Sequence, residues 1–520
     1  MHHFELVILL LAGLAIAVTA ISIKVRKPYP IFLVIAGAII GIFNLPGLEG
    51  FKKTVTEDEF FRDAVIKIFL PALLFEAAFK LRYSHLHENK KPILLLAFLG
   101  TFLTFLIVSF LTWAFLPVPL QAALVFGALM GATDPVSVLS IFKTMGAEKK
   151  LSIVIEGESL FNDAVAFVLY TIAAFHFSEF LQNGPAAGIG MGIWIFLKSL
   201  TLGILIGAGL GIAMSYITKF YENFALEILF AVFLAYSSFF FAESVHASGV
   251  ISVITAGLIY GNYGAKIGMS PATRHAVNSI LESLALFANA LVFLMVGLEI
   301  AIIDFSGKWQ LIALAIVFVL AARSIAVFAS VGFLRNFPVR WAHVLNWGGL
   351  KGSLSIALAL NLPASFTFRS DIILLTFCVV FFSLVVQGLS IGKVVDLFKA
   401  RTVSRGLKEY EALVSRIQGY NAVLEKLPLW KSRGLVPEPL YQAHFSNYSS
   451  RLSECRNSLE QLFIEHPDLA KEQEDHLRLL ALYTQHDAIE DLSKQHVISE
   501  EVSKSQINAL IEEIEKLNRH

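Results

Sequence analysis

Gly127-Ala-Leu-Met-Gly131-Ala-Thr133-Asp134-Pro135 lies inside an apolar run over about 119–143, and its chemistry decides how that run folds. Pro135 has no N–H, and its ring clashes with the carbonyl four residues back, on Gly131. Asp134, directly before it, is pushed out of the α region. A helix over this run should therefore break near its centre and free backbone carbonyls beside a carboxylate. Unwound backbone at membrane depth survives only where protein or a water-filled cavity covers it. Oxygen ligands of this kind suit a hard cation. A plainer reading is a kinked helix whose second half Asp134 caps. That accounts for Asp134 but not for the polar residues in the other apolar runs.

Composition puts these runs in a membrane. Of 520 residues, 56% are hydrophobic, 16% are charged and 44 are Phe, which is more apolar surface than a soluble chain of this length buries. The apolar runs are about 17 to 28 residues long, enough to cross a hydrocarbon core of roughly 30 Å. The expected fold is an all-α polytopic membrane protein of about thirteen spans, near 5–23, 29–44, 63–80, 91–116, 119–143, 150–177, 191–218, 223–243, 248–264, 275–302, 308–334, 340–361 and 370–397. Lys and Arg concentrate in alternate connections, such as Lys24, Arg26 and Lys27, then Lys80, Arg82, Lys90 and Lys91, then Arg335 and Arg340. The bias puts those connections in the cytoplasm, the N-terminus outside and the C-terminus inside. The N-terminal run lacks a cleavage pattern and reads as a retained first span.

From about residue 400 the composition turns charged and helix-prone, with apolar residues at helical spacing (Leu452, Leu459, Leu462, Phe463; Ile507, Leu510, Ile511, Ile514). Residues 1–400 therefore read as a transmembrane domain and 401–520 as a small cytosolic helical domain, either a solvated tail or dimer contact, or a regulator of transport. Cys378 and Cys455 make neither a disulfide framework nor a metal site. No P-loop pattern supports ATP-driven pumping, and no cofactor is expected. No basic, aromatic-interleaved face suggests nucleic acid.

Ionisable residues at membrane depth are functional candidates by default. In Glu156-Gly-Glu158-Ser159-Leu-Phe-Asn162-Asp163, helical turning puts Ser159 with Asp163 on one face and Glu158 with Asn162 on another. Glu158 and Asp163 then point about 140° apart and take different partners. Arg323 is alone in its span and needs a carboxylate, for which Glu158 is the candidate; the pair is structural and leaves Asp163 to titrate. Glu76 follows Pro71 in an apolar stretch, either as a peripheral cation ligand or as a paired interface carboxylate. In Asn346-Trp-Gly348-Gly349-Leu-Lys351-Gly352-Ser353 the glycines favour a second interrupted helix. Lys351 sits at that break, able to neutralise the negative end of a half-helix. With spans 1–6 and 8–13 as two units, the breaks fall in the fifth span of each unit, in opposite orientation. Such paired interruptions in inverted repeats point to a transporter site. Other polar residues are duller: Glu227, Glu282 and Glu299 read as interfacial, and His246 as a packed histidine.

These stretches resemble the monovalent cation:proton antiporters that include the prokaryotic and animal sodium/proton exchangers. The likeness rests on FLPALLFEAA (69–78), GATDPVSV (131–138), EGESLFNDAVAFV (156–168), ASGVISVITAGLIYGN (247–262), FLMVGLEI (293–300), AARS (321–324) and NWGGLKGSLSIALAL (346–360). The resemblance implies a core of spans 4–6 and 11–13 with crossing broken helices, a dimerisation part from the rest, a homodimer, and elevator-like alternating access. It implies Asp163 as the shared carrier of cation and proton. Asp134, Ser159, Glu76 and the Thr133 carbonyl complete the coordination, Asn162 supports the site, and Glu158 with Arg323 braces it. Gly348, Gly349 and Lys351 support the second break, although relatives often carry Arg where this chain has Lys351, and the two are not equivalent. The Asn162–Asp163 pair is similar to the electroneutral branch, one cation per proton. The expected function is Na+ (or Li+) exchange for H+ at the cell membrane, serving pH and sodium homeostasis, and not an enzyme's. A K+/H+ antiporter, a cation channel and a membrane sensor are the alternatives.

Overall fold

Nearly every apolar run is helical. The computed structural model describes residues 2–25, 28–43, 55, 63–145, 147–179, 185–221, 223–269, 271–299, 305–334, 337–363, 365–400, 405–494 and 497–517, and no β-strand occurs among them. The helices of the first part are α1 (His2–Val25), α2 (Tyr29–Ile42), α3 (Leu70–Lys80, entered through a π-wound Val65–Phe69), and α4 (Thr101–Phe115, preceded by Lys90–Leu94 and a π-wound Leu95–Gly100). Then come α5a (Leu120–Leu129), α5b (Val136–Met145), α6 (Lys149–Phe175), α7 (Pro185–Thr218), α8 (Phe224–Ser244), α9 (Gly249–Ile259) and α10 (Pro271–Leu298). The last are α11 (Trp309–Gly332), α12a (Val339–Gly348), α12b (Ser353–Leu360) and α13 (Arg369–Phe382, continued to Leu397). Among the described residues, eight helices are long and apolar enough to cross a membrane, and Tyr29–Ile42 and Leu120–Leu129 are shorter apolar ones. The chain is an all-helical integral membrane protein.

Local chemistry starts several of these helices. The Asn223 side chain accepts the Leu226 N–H at 3.1 Å to cap α8, and Ser248 accepts that of Ile251 at 3.3 Å to cap α9. Asp134 caps α5b in the same way, its Oδ1 accepting the Val136 N–H at 2.9 Å. The cap does not exclude the break, because α5a ends at Leu129 and the chain is unwound from there to Pro135. The second expected break is also present, with 349–352 unwound between α12a and α12b.

Packing sorts the helices into two groups. α5a lies against α4, α6, α12b and α13, and α11 lies against α4 and α13. α10 lies against α1, α2, α3 and α8, while α9 lies against α3, α7 and α8. The groups meet along several seams, one of them between α10 and α12b.

The chain divides into two compact units, Met1–Arg401 and Thr402–His520. The second unit contains α14 (Arg405–Ser432), α15 (Glu438–Glu465), α16 (Pro467–Lys494) and α17 (Glu500–Leu517). Its small core joins Leu413, Leu462 and Leu469, with Tyr410, Leu459 and Phe463 packed on it.

Candidate cation site at the crossing of two broken helices

The two unwound segments meet and satisfy each other's backbone. The Asp134 N–H donates to the Leu350 carbonyl at 2.8 Å. Lys351 Nζ donates to the Met130 carbonyl at 2.5 Å and to that of Ala132 at 3.4 Å. Ser355 Oγ donates to the Leu129 carbonyl at 2.7 Å. A helix ending inside a membrane leaves carbonyls that no water can reach. Here an ammonium and a hydroxyl from the other broken helix supply the missing donors at the negative end of α5a.

The glycines of the second break differ in what they permit. A Cβ at Gly349 would lie 2.5 Å from Arg323 Nε, and one at Gly352 would lie 2.5 Å from the Asp134 Cβ. At Gly348 the nearest atom would be 3.5 Å away, an ordinary contact. The close approach of the two breaks therefore requires Gly352, and the approach of Arg323 to the second break requires Gly349. Of these, only Gly349 stood with Gly348 among the supporting residues expected from sequence.

α6 supplies the other wall. Arg323 Nη1 lies 2.6 Å from Glu158 Oε1, and both side chains are buried. Arg323 Nη2 also donates to the Leu345 carbonyl, at 3.3 Å. Ser159 Oγ donates to the Thr133 carbonyl, and Asn162, expected on the Glu158 face, reaches the same residue, its Nδ2 donating to Thr133 Oγ1 at 2.7 Å. Three buried oxygens close to this cluster have no hydrogen-bond partner among the described residues: Asp134 Oδ2, Asn162 Oδ1 and Asp163 Oδ1.

Asp163, Asp134, Thr133, Ser159 and Glu76 all line one cavity of about 380 Å³. It reaches from the crossing to a rim that includes Lys80, Lys143 and Glu282. Lys80 Nζ lies 3.9 Å from Glu76 and 3.6 Å from Glu282, and both Lys80 and Glu282 are substantially exposed. Glu76 is thus both cavity-lining and paired, so the two readings of it are compatible. Tyr29 and Asn289 line the opposite wall. Sequence reasoning passed over both, although Asn289, a lone amide in an apolar run, carried a usable signal. One other reading needs correction. His246 is exposed, with a left-handed φ of 57°, and is not packed. Glu227 and Glu299, both at helix ends, are almost fully buried in the protein, at 1% and 4% exposed.

Two interrupted helices crossing at buried carboxylates define an ion-transporter architecture. The family model described as "Sodium/hydrogen exchanger, transmembrane" matches residues 6–397, and the chain belongs to that family. It is 48% identical over 521 residues to the Na(+)/H(+) antiporter NhaG of Bacillus atrophaeus, a match covering 99% of this chain and 98% of the relative. It is 45% identical over 394 residues to the Na(+)/H(+) antiporter NhaH of Halobacillus aidingensis, covering 76% of this chain and 98% of that one. Among solved structures, the sodium proton antiporter MjNhaP1 of Methanocaldococcus jannaschii matches with a TM-score of 0.63 at 21% identity, over 75% of this chain and 98% of that one.

Proposed function

We infer that this protein is a secondary active antiporter exchanging Na+, or Li+, for H+ across the cell membrane by alternating access, one cation per proton. The observation that carries the reading is the pair of buried, unpartnered carboxylate oxygens on Asp134 and Asp163, two residues that line one cavity. Oxygen donors without hydrogen are what a small hard cation needs. The names of the relatives support the same ion pair.

In this reading Asp163 is neutralised by a cation or by a proton, but not by both at once. An empty, charged site resists crossing the low-dielectric barrier, whereas a neutralised one moves. Competition at one carboxylate then gives coupled exchange. Asp134, Ser159, Glu76 and the Thr133 carbonyl complete the cation's shell. The Glu158–Arg323 pair and Lys351 hold the breaks in place. The group containing α4–α6 and α11–α13 is the moving part, and the other group is the scaffold and dimer contact. The same proposal includes thirteen spans in two inverted units, an outside N-terminus and a cytosolic second unit.

The test uses purified protein in liposomes with an internal pH dye, an imposed proton gradient, and added NaCl, LiCl or KCl. Cation-dependent collapse of the gradient, unchanged when the voltage is clamped at zero, is expected, with Na+ or Li+ most effective. Collapse with KCl alone would make this a K+/H+ antiporter. Voltage-dependent collapse would point to another stoichiometry or a channel. Asp163→Asn is expected to abolish the exchange while eluting as folded protein; cation-dependent proton flux in that variant would overturn the assignment.

A further inference from the structure

The face of α10 that lines the cation cavity continues beyond it. Glu282, Ala285 and Asn289 line the large cavity, and Val292, Val296 and Glu299 line a second one. Each of these residues follows the last by three or four positions, so all six share one face. Opposite them, Ser353 at the start of α12b lines both cavities. The two cavities are therefore successive chambers of one seam, closed from each other between Asn289 and Val292.

The second chamber is about 10 Å³, close to the smallest space that holds one water. Glu299 stands at its edge, 4% exposed, just past the C-terminal end of α10. A negative charge there opposes the helix dipole, so capping does not explain it. Glu299 thus sets a carboxylate against the small chamber at this end of the seam, and oxygen donors are what a small hard cation takes. Along α10, Glu282 and Glu299 stand roughly 25 Å apart, one toward each end of the seam.

We propose that Glu299, with the Ser353 hydroxyl, is the position that receives the monovalent cation on the side of the membrane closed in this structure. Glu282 has the matching place on the open side. As α12b slides along α10, the Asp163 site opens toward Glu299 in place of Glu282. The proposal rests on the antiport reading above and deepens it by naming the far end of the path.

Full-length protein in right-side-out and inverted membrane vesicles gives the apparent KM for Na+ at each face. Glu299→Gln is expected to raise the outer-face value about tenfold, the size of one charged contact, and to leave the inner-face value unchanged. Glu282→Gln is expected to do the reverse. Equal shifts at both faces, or none at either, in Glu299→Gln would overturn the proposal. Should Glu299→Gln fail to fold, Glu299→Asp keeps the charge and is read in the same way, with a smaller one-sided shift expected. Absence of Na+-dependent flux in the unaltered protein would overturn the antiport reading and this inference with it. Flux in the unaltered protein with a symmetric effect of the variant would overturn this inference alone.

Discussion

At Arg323 a full charge is held almost out of solvent, 2.6 Å from Glu158 and within reach of the Leu345 carbonyl. A buried pair of this kind adds little net stability, but losing one member leaves an uncompensated charge costing about 3–5 kcal/mol. Arg323→Ala should therefore yield little folded protein, and adding Glu158→Ala should restore part of it. Fluorescence-detected size exclusion of the two variants is a sufficient check, and no recovery in the double variant would argue against the pair. The glycines give a sharper contrast. Gly352→Ala pushes a methyl against the Asp134 Cβ, whereas Gly348→Ala meets ordinary contacts. Forcing an extra carbon into a packed site costs about 1–3 kcal/mol. The thermal unfolding midpoint should fall for Gly352→Ala and hold for Gly348→Ala; equal midpoints would mean that the breaks can part without penalty.

At the scale of elements, each broken helix supplies what the other lacks. α5a ends in carbonyls that Lys351 and Ser355 of the second break satisfy, and Asp134 of the first break donates to Leu350 in return. Lys351→Met keeps much of the side chain's volume and removes the donor. A hydrogen bond to a charged group is worth about 1.5–3 kcal/mol, so unfolding should begin at markedly lower temperature and exchange should fall with it. An unchanged midpoint would show that water or another donor replaces the ammonium. The breaks were legible from single residues because Pro135 and the glycines act on the backbone locally, whatever surrounds them. Arg323 and Glu158 were legible too, since an isolated charge in an apolar run demands a partner. The seam partners were not. Whether Gly352 or Gly348 is the crowded glycine depends on how closely α5 approaches. Whether Glu299 is buried depends on α10 meeting α12b. His246 sits in a turn whose left-handed backbone turns it outward, and neither periodicity nor composition carries that.

Across the whole molecule the two units differ in kind. The family model ends at residue 397, shortly before the second unit begins at Thr402. NhaH is matched over 98% of its own length by 76% of this chain. Every residue assigned to the cation lies in the first unit, where the two breaks are satisfied by each other and by Ser159, Asn162 and Ser383. Nothing in that chemistry calls on a residue beyond 400. A chain stopped after Ser404 should therefore insert, fold and exchange Na+ for H+, while a regulatory second unit would reveal itself as a displaced pH profile with the dependence on cation concentration retained. The liposome assay, run on both chains across pH at fixed protein, separates these. Identical profiles would leave the second unit without a part in setting the rate. Loss of exchange in a truncated protein that still elutes as folded would move the second unit into the transport cycle itself, and the sensor reading would then be the one to pursue.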